Sequence, residues 1–164
     1  MRYLRQAALL LMAAAPAHAA ESSGCDKFAW PLTAEQRLLG EAQAAPSGEL
    51  DRDTEKAVAV KLSLLAEAGL PMAPERPPQK TPALAGFLRF GKGGSHLYKV
   101  SLSDGAWIDL VQDGHYLKPT AFTGATDCPH LRKSVKFEIG PNPFVLQISG
   151  APASGIAIVV TPAE

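Results

Sequence analysis

The chain has 164 residues, of which 46% are hydrophobic and 20% are charged, and its 16 basic side chains balance its 16 acidic ones. This balance argues against nucleic acid as a partner, because binding to phosphate backbones requires concentrated positive charge. No run of roughly 20 apolar residues is present, so stable membrane insertion is not expected.

The first nineteen residues follow the order of a secretory signal peptide. Two arginines precede an apolar run over residues 7–15, and an Ala-His-Ala motif predicts cleavage after Ala19. Residues 1–19 are therefore predicted to be a leader, and the mature protein is expected to be periplasmic or secreted. The remaining residues, 20–164, have the size of one ordinary domain.

The mature chain begins with a predicted helical segment over residues 20–56. Thr33 and Gln36 have the spacing of a capping box, which predicts a short helix over residues 34–44. Ahead of this helix, apolar side chains alternate at Phe28, Trp30 and Leu32 and are expected to pack as one edge.

A strand and a connector are predicted next, within residues 57–83. Valine and leucine alternate with other residues over 57–65, which favours a strand, with a helix as the alternative. We therefore assign residues 57–70 to a strand segment. Residues 71–83 contain five prolines, a density that excludes a central strand or helix and predicts an extended connector.

Residues 84–164 are predicted to form the body of the fold from short strands separated by tight turns. Together with residues 57–65, the candidate strands are 84–90, 97–103, 107–111, 116–122, 132–139, 144–149 and 156–161. Strands joined by turns without intervening helices predict a mainly β fold, an antiparallel β-sandwich or jelly roll with one short N-terminal helix. Apolar and polar residues alternate, so one face of each sheet is expected to be buried and the other wet.

The stretch "GATDCPHLRKSV", residues 124–135, places Asp127, Cys128 and His130 close together. An exported protein with two cysteines normally joins them, so we predict a disulfide between Cys25 and Cys128. Such a bond removes the free thiolate that a cysteine nucleophile needs, and a zinc site would need more nearby ligands. The sequence thus predicts a covalent tie here and no catalytic residue.

The chain resembles a family of small exported proteobacterial proteins of unknown function in three stretches. These are "CDKFAWPL", "GAWIDLV" and "DCPHLRKSVKFEI" with the later "NPFVLQISG". The resemblance covers most of the mature chain and implies no activity. The closing strands "FVLQIS" and "IAIVV" are also similar to pre-peptidase C-terminal-like β-sandwiches, which implies a fold and no ligand. Relatives of such sequences sometimes carry dioxygenase names, and that chemistry requires a metal site.

A non-haem iron site needs two histidines and a carboxylate on one face of the metal. The candidates are His96, His115 and His130, with Asp127 or Asp109 as the carboxylate. No two of the histidines have the two-residue spacing that aims both side chains to one side of a strand. A metal site is therefore an alternative hypothesis, and no cofactor is predicted.

A ligand site is the other hypothesis that the residues support. If Ile108 and Leu110 face the core, Trp107 and Asp109 share the wetter face, where an aromatic ring beside a carboxylate suits a sugar. His115 and Tyr116 are expected to join them. The alternative is that Trp107 packs under a loop or against the helix.

A small basic cluster is formed by Arg132, Lys133 and Lys136, and we interpret it as a solvated strand face, with an acidic partner as the alternative. Taken together, the sequence predicts a binding or structural accessory module whose partner is an unknown ligand or envelope protein. The alternatives are a small non-haem metal-dependent enzyme such as a dioxygenase, and a carbohydrate-binding module. The sequence predicts no particular oligomeric state.

Overall fold

The computed structural model describes residues 24–48, 54–94 and 96–163. The predicted leader, residues 1–19, lies outside the described residues. The described chain forms a 3₁₀ turn, one α-helix and eleven strands. In chain order these are the turn Gly24–Lys27, α1 (Thr33–Gly40), β1 (Gln43–Ala45), β2 (Val58–Lys61), β3 (Ser63–Leu64), β4 (Leu84–Phe90), β5 (His96–Leu102), β6 (Trp107–Gln112), β7 (His115–Leu117), β8 (Pro119–Gly124), β9 (Lys133–Ile139), β10 (Phe144–Ala151) and β11 (Gly155–Pro162).

The strands form two sheets, as the predicted β-sandwich requires. The six-stranded sheet has the order β1-β2-β11-β5-β9-β8, and the five-stranded sheet has the order β3-β4-β10-β6-β7. All pairings are antiparallel except that of β1 with β2. The predicted mainly β fold with one short helix is therefore confirmed.

The core lies between the two sheets and follows the alternation of the sequence. In β9, Val135, Phe137 and Ile139 are buried in this core, and in β10 every second residue from Phe144 to Ile148 joins them. Because neighbouring side chains of a strand point to opposite faces, an apolar residue at every second position gives each sheet one continuous inner face.

Two of the predicted strands are each divided between the sheets. The segment 57–65 forms β2 in the six-stranded sheet and β3 in the five-stranded sheet, and the strand interpretation is correct. The segment 116–122, predicted as one strand, instead contains the end of β7 in the five-stranded sheet and most of β8 in the six-stranded sheet. The chain passes from one sheet to the other at Leu62 and at Lys118. The alternation of apolar and polar residues does not indicate these positions.

The helix is shorter than predicted, because α1 ends at Gly40 and the chain then forms β1 beside β2. The predicted capping box is also absent. Leu32 occupies the N-cap position without a side-chain hydrogen bond, and Thr33 lies one residue too far into the helix to cap it. The amide of Gln36 donates instead to the backbone oxygen of Pro129 (3.0 Å), which ties α1 to the loop before β9.

The predicted disulfide is present and joins the N-terminal turn to that same loop. The sulfur atoms of Cys25 and Cys128 are bonded, and 103 positions separate the two residues in sequence. Beside the bond, Asp127 accepts hydrogen bonds from Lys27 Nζ (2.9 Å) and from the Gly24 backbone nitrogen (3.0 Å). The turn Gly24–Lys27 is therefore held to the loop before β9 by one covalent bond and by two polar contacts to Asp127.

The N-terminal segment and α1 cover part of the outer face of the six-stranded sheet. A second apolar cluster forms there around Leu32, Leu39 and Leu131, and Phe28 and Trp30 pack against it. The expectation that one face of each sheet would be wet is therefore wrong for this region. The reason is that the covering segment is distant in sequence, so that strand alternation alone does not reveal it.

Candidate functional site

The proline-rich connector crosses the outer face of the five-stranded sheet, where two buried polar side chains hold its backbone. Gln147 in β10 is 1% exposed, and its amide accepts a hydrogen bond from the Met72 nitrogen (2.8 Å) and donates one to the Met72 oxygen (3.1 Å). Asp109, which lies opposite Gln147 in β6, accepts a hydrogen bond from the Glu75 nitrogen (3.1 Å). We call residues 71–82 the strap.

A cleft of about 830 Å³ opens at the end of the strap, between the strap and one end of the sandwich. Its walls come from four separate parts of the chain: the end of the strap, the turn before β6, the start of β9 and the hairpin between β10 and β11. The lining includes the charged side chains of Arg76, Lys80, Arg132 and Lys133, the aromatic ring of Trp107 and the hydroxyl of Ser149. A cleft of this volume is in the range that small organic ligands occupy.

Trp107 forms the aromatic part of the cleft. Its indole is half-buried, and Nε1 donates to the Asp109 carboxylate (2.7 Å). The guanidinium carbon of Arg76 lies 5.3 Å from the centroid of the ring, and the Lys133 ammonium lies 5.5 Å from it. Both distances are within the range of attraction between a cation and an aromatic ring. The tryptophan is thus held by a buried acid on its polar edge and lies close to two cations.

The electrostatics of the cleft are dominated by positive charge. Among the described residues that line it, four are basic and none is acidic. Burial lowers the pKa of Lys133 below its ordinary value, and the neighbouring charges of Arg132 and Arg76 lower it further. The Lys133 ammonium also donates to the backbone oxygen of Ala106 (3.2 Å). Positive charge is therefore concentrated here in a chain whose total charge is balanced.

Ser149 adds a polar group without a protein partner. The residue is 2% exposed, lies opposite Trp107 across the β10–β6 pairing and lines the cleft. Its hydroxyl oxygen is buried and makes no hydrogen bond to any described residue. Buried hydroxyl groups are normally satisfied because desolvation without a partner costs free energy, so this group marks a polar position in the wall of the cleft.

The predicted ligand residues are brought together only in part. Trp107 and Asp109 do share one face of β6, but Asp109 is 4% exposed, because the strap covers it. Burial raises the pKa of the Asp109 carboxyl, although hydrogen bonds from Trp107 and from the Glu75 backbone oppose this rise. The expectation of a wet face is therefore wrong for Asp109, whereas Trp107 is half-buried and lines the cleft.

Tyr116 and His115 take different positions from each other. The Tyr116 hydroxyl donates to the backbone oxygen of Ala73 in the strap, and burial together with the charges of Asp109 and Glu75 raises its pKa. His115 is exposed at the turn between β6 and β7, at the opposite end of β6 from Trp107. Tyr116 thus belongs to the contact between sheet and strap, and His115 lies away from the cleft.

The candidate metal ligands do not form a cluster. His96 begins β5 in the six-stranded sheet, and His115 begins β7 in the five-stranded sheet. His96 lies opposite the end of β9, whereas His130 precedes the start of that strand. Asp127 is paired with Lys27, which lowers its pKa. Over residues 24–48, 54–94 and 96–163, which include all four side chains, no group of three or more His, Cys, Asp or Glu residues is placed to hold a metal ion.

The basic residues of "LRKSVK" are separated by the fold. Arg132 and Lys133 line the cleft. The Lys136 ammonium instead lies 4.3 Å from the centroid of the Trp30 ring, at the outer face of the six-stranded sheet. All three are half-buried, so the interpretation as a solvated strand face does not describe them. No sequence pattern connects Arg132 and Lys133 with Arg76 and Lys80, which are more than 50 positions away.

Comparison with protein-family models, with curated proteins and with solved structures finds no match for this chain. In the part of the chain that the structure describes, no helix is both long enough and apolar enough to cross a membrane. The geometry of the cleft is therefore the principal observation on which a function can be based.

Proposed function

We propose that this chain is an exported binding module that holds a small ligand in the cleft beside Trp107. The observation that carries the proposal is the cleft itself, which combines a volume of about 830 Å³, an aromatic ring and four basic side chains. Binding sites typically combine an apolar wall with a few convergent polar groups, and the strap prolines together with Ser149 and the cations supply both.

Two further observations support export and binding. The leader pattern over residues 1–19 and the disulfide between Cys25 and Cys128 both fit a protein that folds in an oxidising compartment. The described residues that line the cleft include no carboxylate or imidazole that could activate the Ser149 hydroxyl as a nucleophile, and no free thiol. We therefore favour binding without catalysis over the metal-dependent enzyme.

A variant with a large side chain in the cleft tests the proposed binding function. A Cβ added to Gly105, in the turn before β6, would meet no atom within 4 Å, and this residue lines the cleft. A Gly105→Phe variant should therefore fold normally and place its ring in the ligand space. Ala44→Phe, at an exposed position of β1, is the matched control.

Binding would be measured by isothermal titration calorimetry with four probes: galactobiose, digalacturonate, myo-inositol and inositol hexakisphosphate. We expect at least one probe to bind the wild-type protein and the Ala44→Phe variant equally, and to bind Gly105→Phe at least about tenfold more weakly, because the added ring occupies the site. The proposal is wrong if none of the four binds, or if Gly105→Phe leaves the affinity unchanged.

A further inference from the structure

The cleft gathers four cations, and none of them forms an ion pair with a described carboxylate. Lys27, Arg37, Lys99 and Lys118 each form an ion pair with a carboxylate. Arg76, Lys80, Arg132 and Lys133 form none with any described carboxylate, although they line one cleft. Like charges held together raise the free energy of the folded protein, and an anion bound between them would lower it.

The cations lie at two depths. Arg76 and Lys80 are exposed at the strap, whereas Arg132 and Lys133 are half-buried at the start of β9. Burial lowers the pKa of Lys133, which shows that its ammonium is partly desolvated. An anion that reaches this ammonium would therefore be attracted in surroundings that screen charge less than bulk water does. The exposed pair would attract an anion toward the cleft, and the half-buried pair would hold it.

Ser149 supplies a donor of the kind that oxyanions accept. Its buried hydroxyl has no hydrogen-bond partner among the described residues and lines the same cleft as Lys133. A hydroxyl beside a cation is a common combination in sites for carboxylate, sulfate and phosphate groups, because a charged acceptor makes the hydrogen bond stronger. This is an observation independent of the charge, and it leads to the same class of ligand.

The position of Trp107 argues against a neutral sugar as the preferred ligand. Stacking of a sugar requires a free face of the ring, whereas Arg76 and Lys133 both lie within 6 Å of the ring centroid. The ring holds these cations at the cleft, where their charge is available to a ligand. The volume, about 830 Å³, is far larger than an inorganic ion needs, so the anionic group belongs to an organic molecule.

From these observations we infer that the cleft selects small organic anions, molecules of about disaccharide size that carry at least one carboxylate, sulfate or phosphate group bound by Arg132, Lys133 and the Ser149 hydroxyl. This inference rests on the proposed binding function and specifies the chemistry of its ligand. It distinguishes the protein from a module for neutral carbohydrate.

The test uses the mature, disulfide-bonded protein and pairs of probes that share a carbon skeleton and differ in charge. Digalacturonate is compared with galactobiose for the carboxylate, and inositol hexakisphosphate is compared with myo-inositol for the phosphate, each by calorimetry at low and at high salt. We expect the acidic member of at least one pair to bind at least about tenfold more tightly than its neutral counterpart, with an affinity that falls as salt increases. The pair that shows the difference identifies the anionic group.

Three variants locate the binding. Lys133→Met should weaken binding of the acidic probe at least about tenfold, and Ser149→Ala should weaken it about threefold to tenfold, because each removes a donor to the anion. Ser149→Ala also removes a buried hydroxyl without a partner, so this variant should keep its stability and report on binding even if Lys133→Met folds poorly. Lys92→Met, an exposed lysine between β4 and β5, should have no effect.

The possible failures are distinct. If a neutral probe binds as tightly as its acidic counterpart and Gly105→Phe abolishes both, the binding function stands and anion selection is wrong. If the acidic probe binds Lys133→Met, Ser149→Ala and wild type equally, the anion is held elsewhere and this inference is also wrong. If no probe binds the wild-type protein, both the function and the inference are overturned.

Discussion

Glu35 illustrates how one polar side chain fixes the position of α1. It projects from the helix onto the six-stranded sheet, where its carboxylate lies 2.6 Å from Lys99 Nζ in β5 and accepts a hydrogen bond from the Thr161 hydroxyl in β11 (2.6 Å). Burial alone would raise the pKa of Glu35, but the hydrogen bonds from Lys99 and Thr161 lower it below its ordinary value. The carboxylate is therefore ionised at neutral pH and contacts both the Lys99 ammonium and the Thr161 hydroxyl.

Replacing Glu35 by Gln tests this contact. The change leaves the largely desolvated Lys99 ammonium, whose side chain is 14% exposed, without its counter-charge, so we expect the free energy of unfolding at neutral pH to fall by about 3 kcal/mol. Glu41→Gln, which removes an exposed ion pair with Arg37 on the same helix, should change it by less than about 0.5 kcal/mol. Urea unfolding followed by tryptophan fluorescence measures both, and equal losses would contradict the assignment.

The same contact predicts a dependence on pH. Because the folded-state pKa of Glu35 lies below the ordinary value of 4.5, its contribution to stability is fully present above that value and is lost as the pH falls through the lowered folded pKa. The stability difference between wild type and Glu35→Gln should therefore shrink on acidification below pH 4.5. A difference that is constant down to strongly acidic pH would show that ionisation of Glu35 contributes nothing.

At the scale of elements, the strap is an irregular segment that takes its position from the sheet beneath it. It contains no helix or strand, so its backbone groups need hydrogen-bond partners outside the strap. The buried amide of Gln147 and the carboxylate of Asp109 provide partners for Met72 and Glu75. Polar residues at outward positions of β6 and β10 thus serve the strap, and this is why they are buried.

A Gln147→Leu variant should loosen the strap. It removes both hydrogen bonds to Met72, worth about 1 kcal/mol each, and should raise the population of the detached strap roughly thirtyfold. Trypsin reports this, because Lys80 lies in the strap and Arg76 is protected by the proline that follows it. We expect cleavage after Lys80 to accelerate by about the same factor. Gln43→Leu, at an exposed position of β1, should leave the rate unchanged.

At the scale of the whole molecule, the disulfide connects the beginning of the described chain to the loop before β9. It closes the N-terminal segment against the outer face of the six-stranded sheet, next to the apolar cluster that contains Leu32, Leu39 and Leu131. In "GATDCPHLRKSV", Cys128 makes the bond, Asp127 pairs with Lys27, and His130 is exposed beside Gly40. The three neighbouring side chains therefore have separate structural positions and do not form one site.

Removal of the disulfide should reduce stability strongly. A Cys25→Ser, Cys128→Ser double variant releases a loop of 103 positions, for which chain entropy predicts a loss of about 4 to 5 kcal/mol in the free energy of unfolding. Urea unfolding measures the loss, and wild-type protein treated with a reductant is the control and should lose a similar amount. An unchanged unfolding midpoint after reduction would show that the bond does not restrict the conformational entropy of the unfolded chain.

The sequence by itself determined the local features of the fold. Alternation with a period of two indicates the inner faces of β5 and β9, and the pair Asp113-Gly114 is typical of a tight turn, which lies between β6 and β7 with positive φ at both residues. Two cysteines in a chain with a predicted leader were sufficient to predict the disulfide. Each of these signals depends on neighbouring residues or on a count, so it is readable without the tertiary structure.

Only the tertiary structure decided which sheet each short strand joins, what covers the outer faces and which side chains meet in the cleft. The changes of sheet at Leu62 and Lys118 depend on pairing with distant strands. The burial of Asp109 and Gln147 depends on a strap 34 to 75 positions away. Arg76 meets Lys133 at Trp107 for the same reason, because contacts between residues distant in sequence leave no periodic signal in the chain itself.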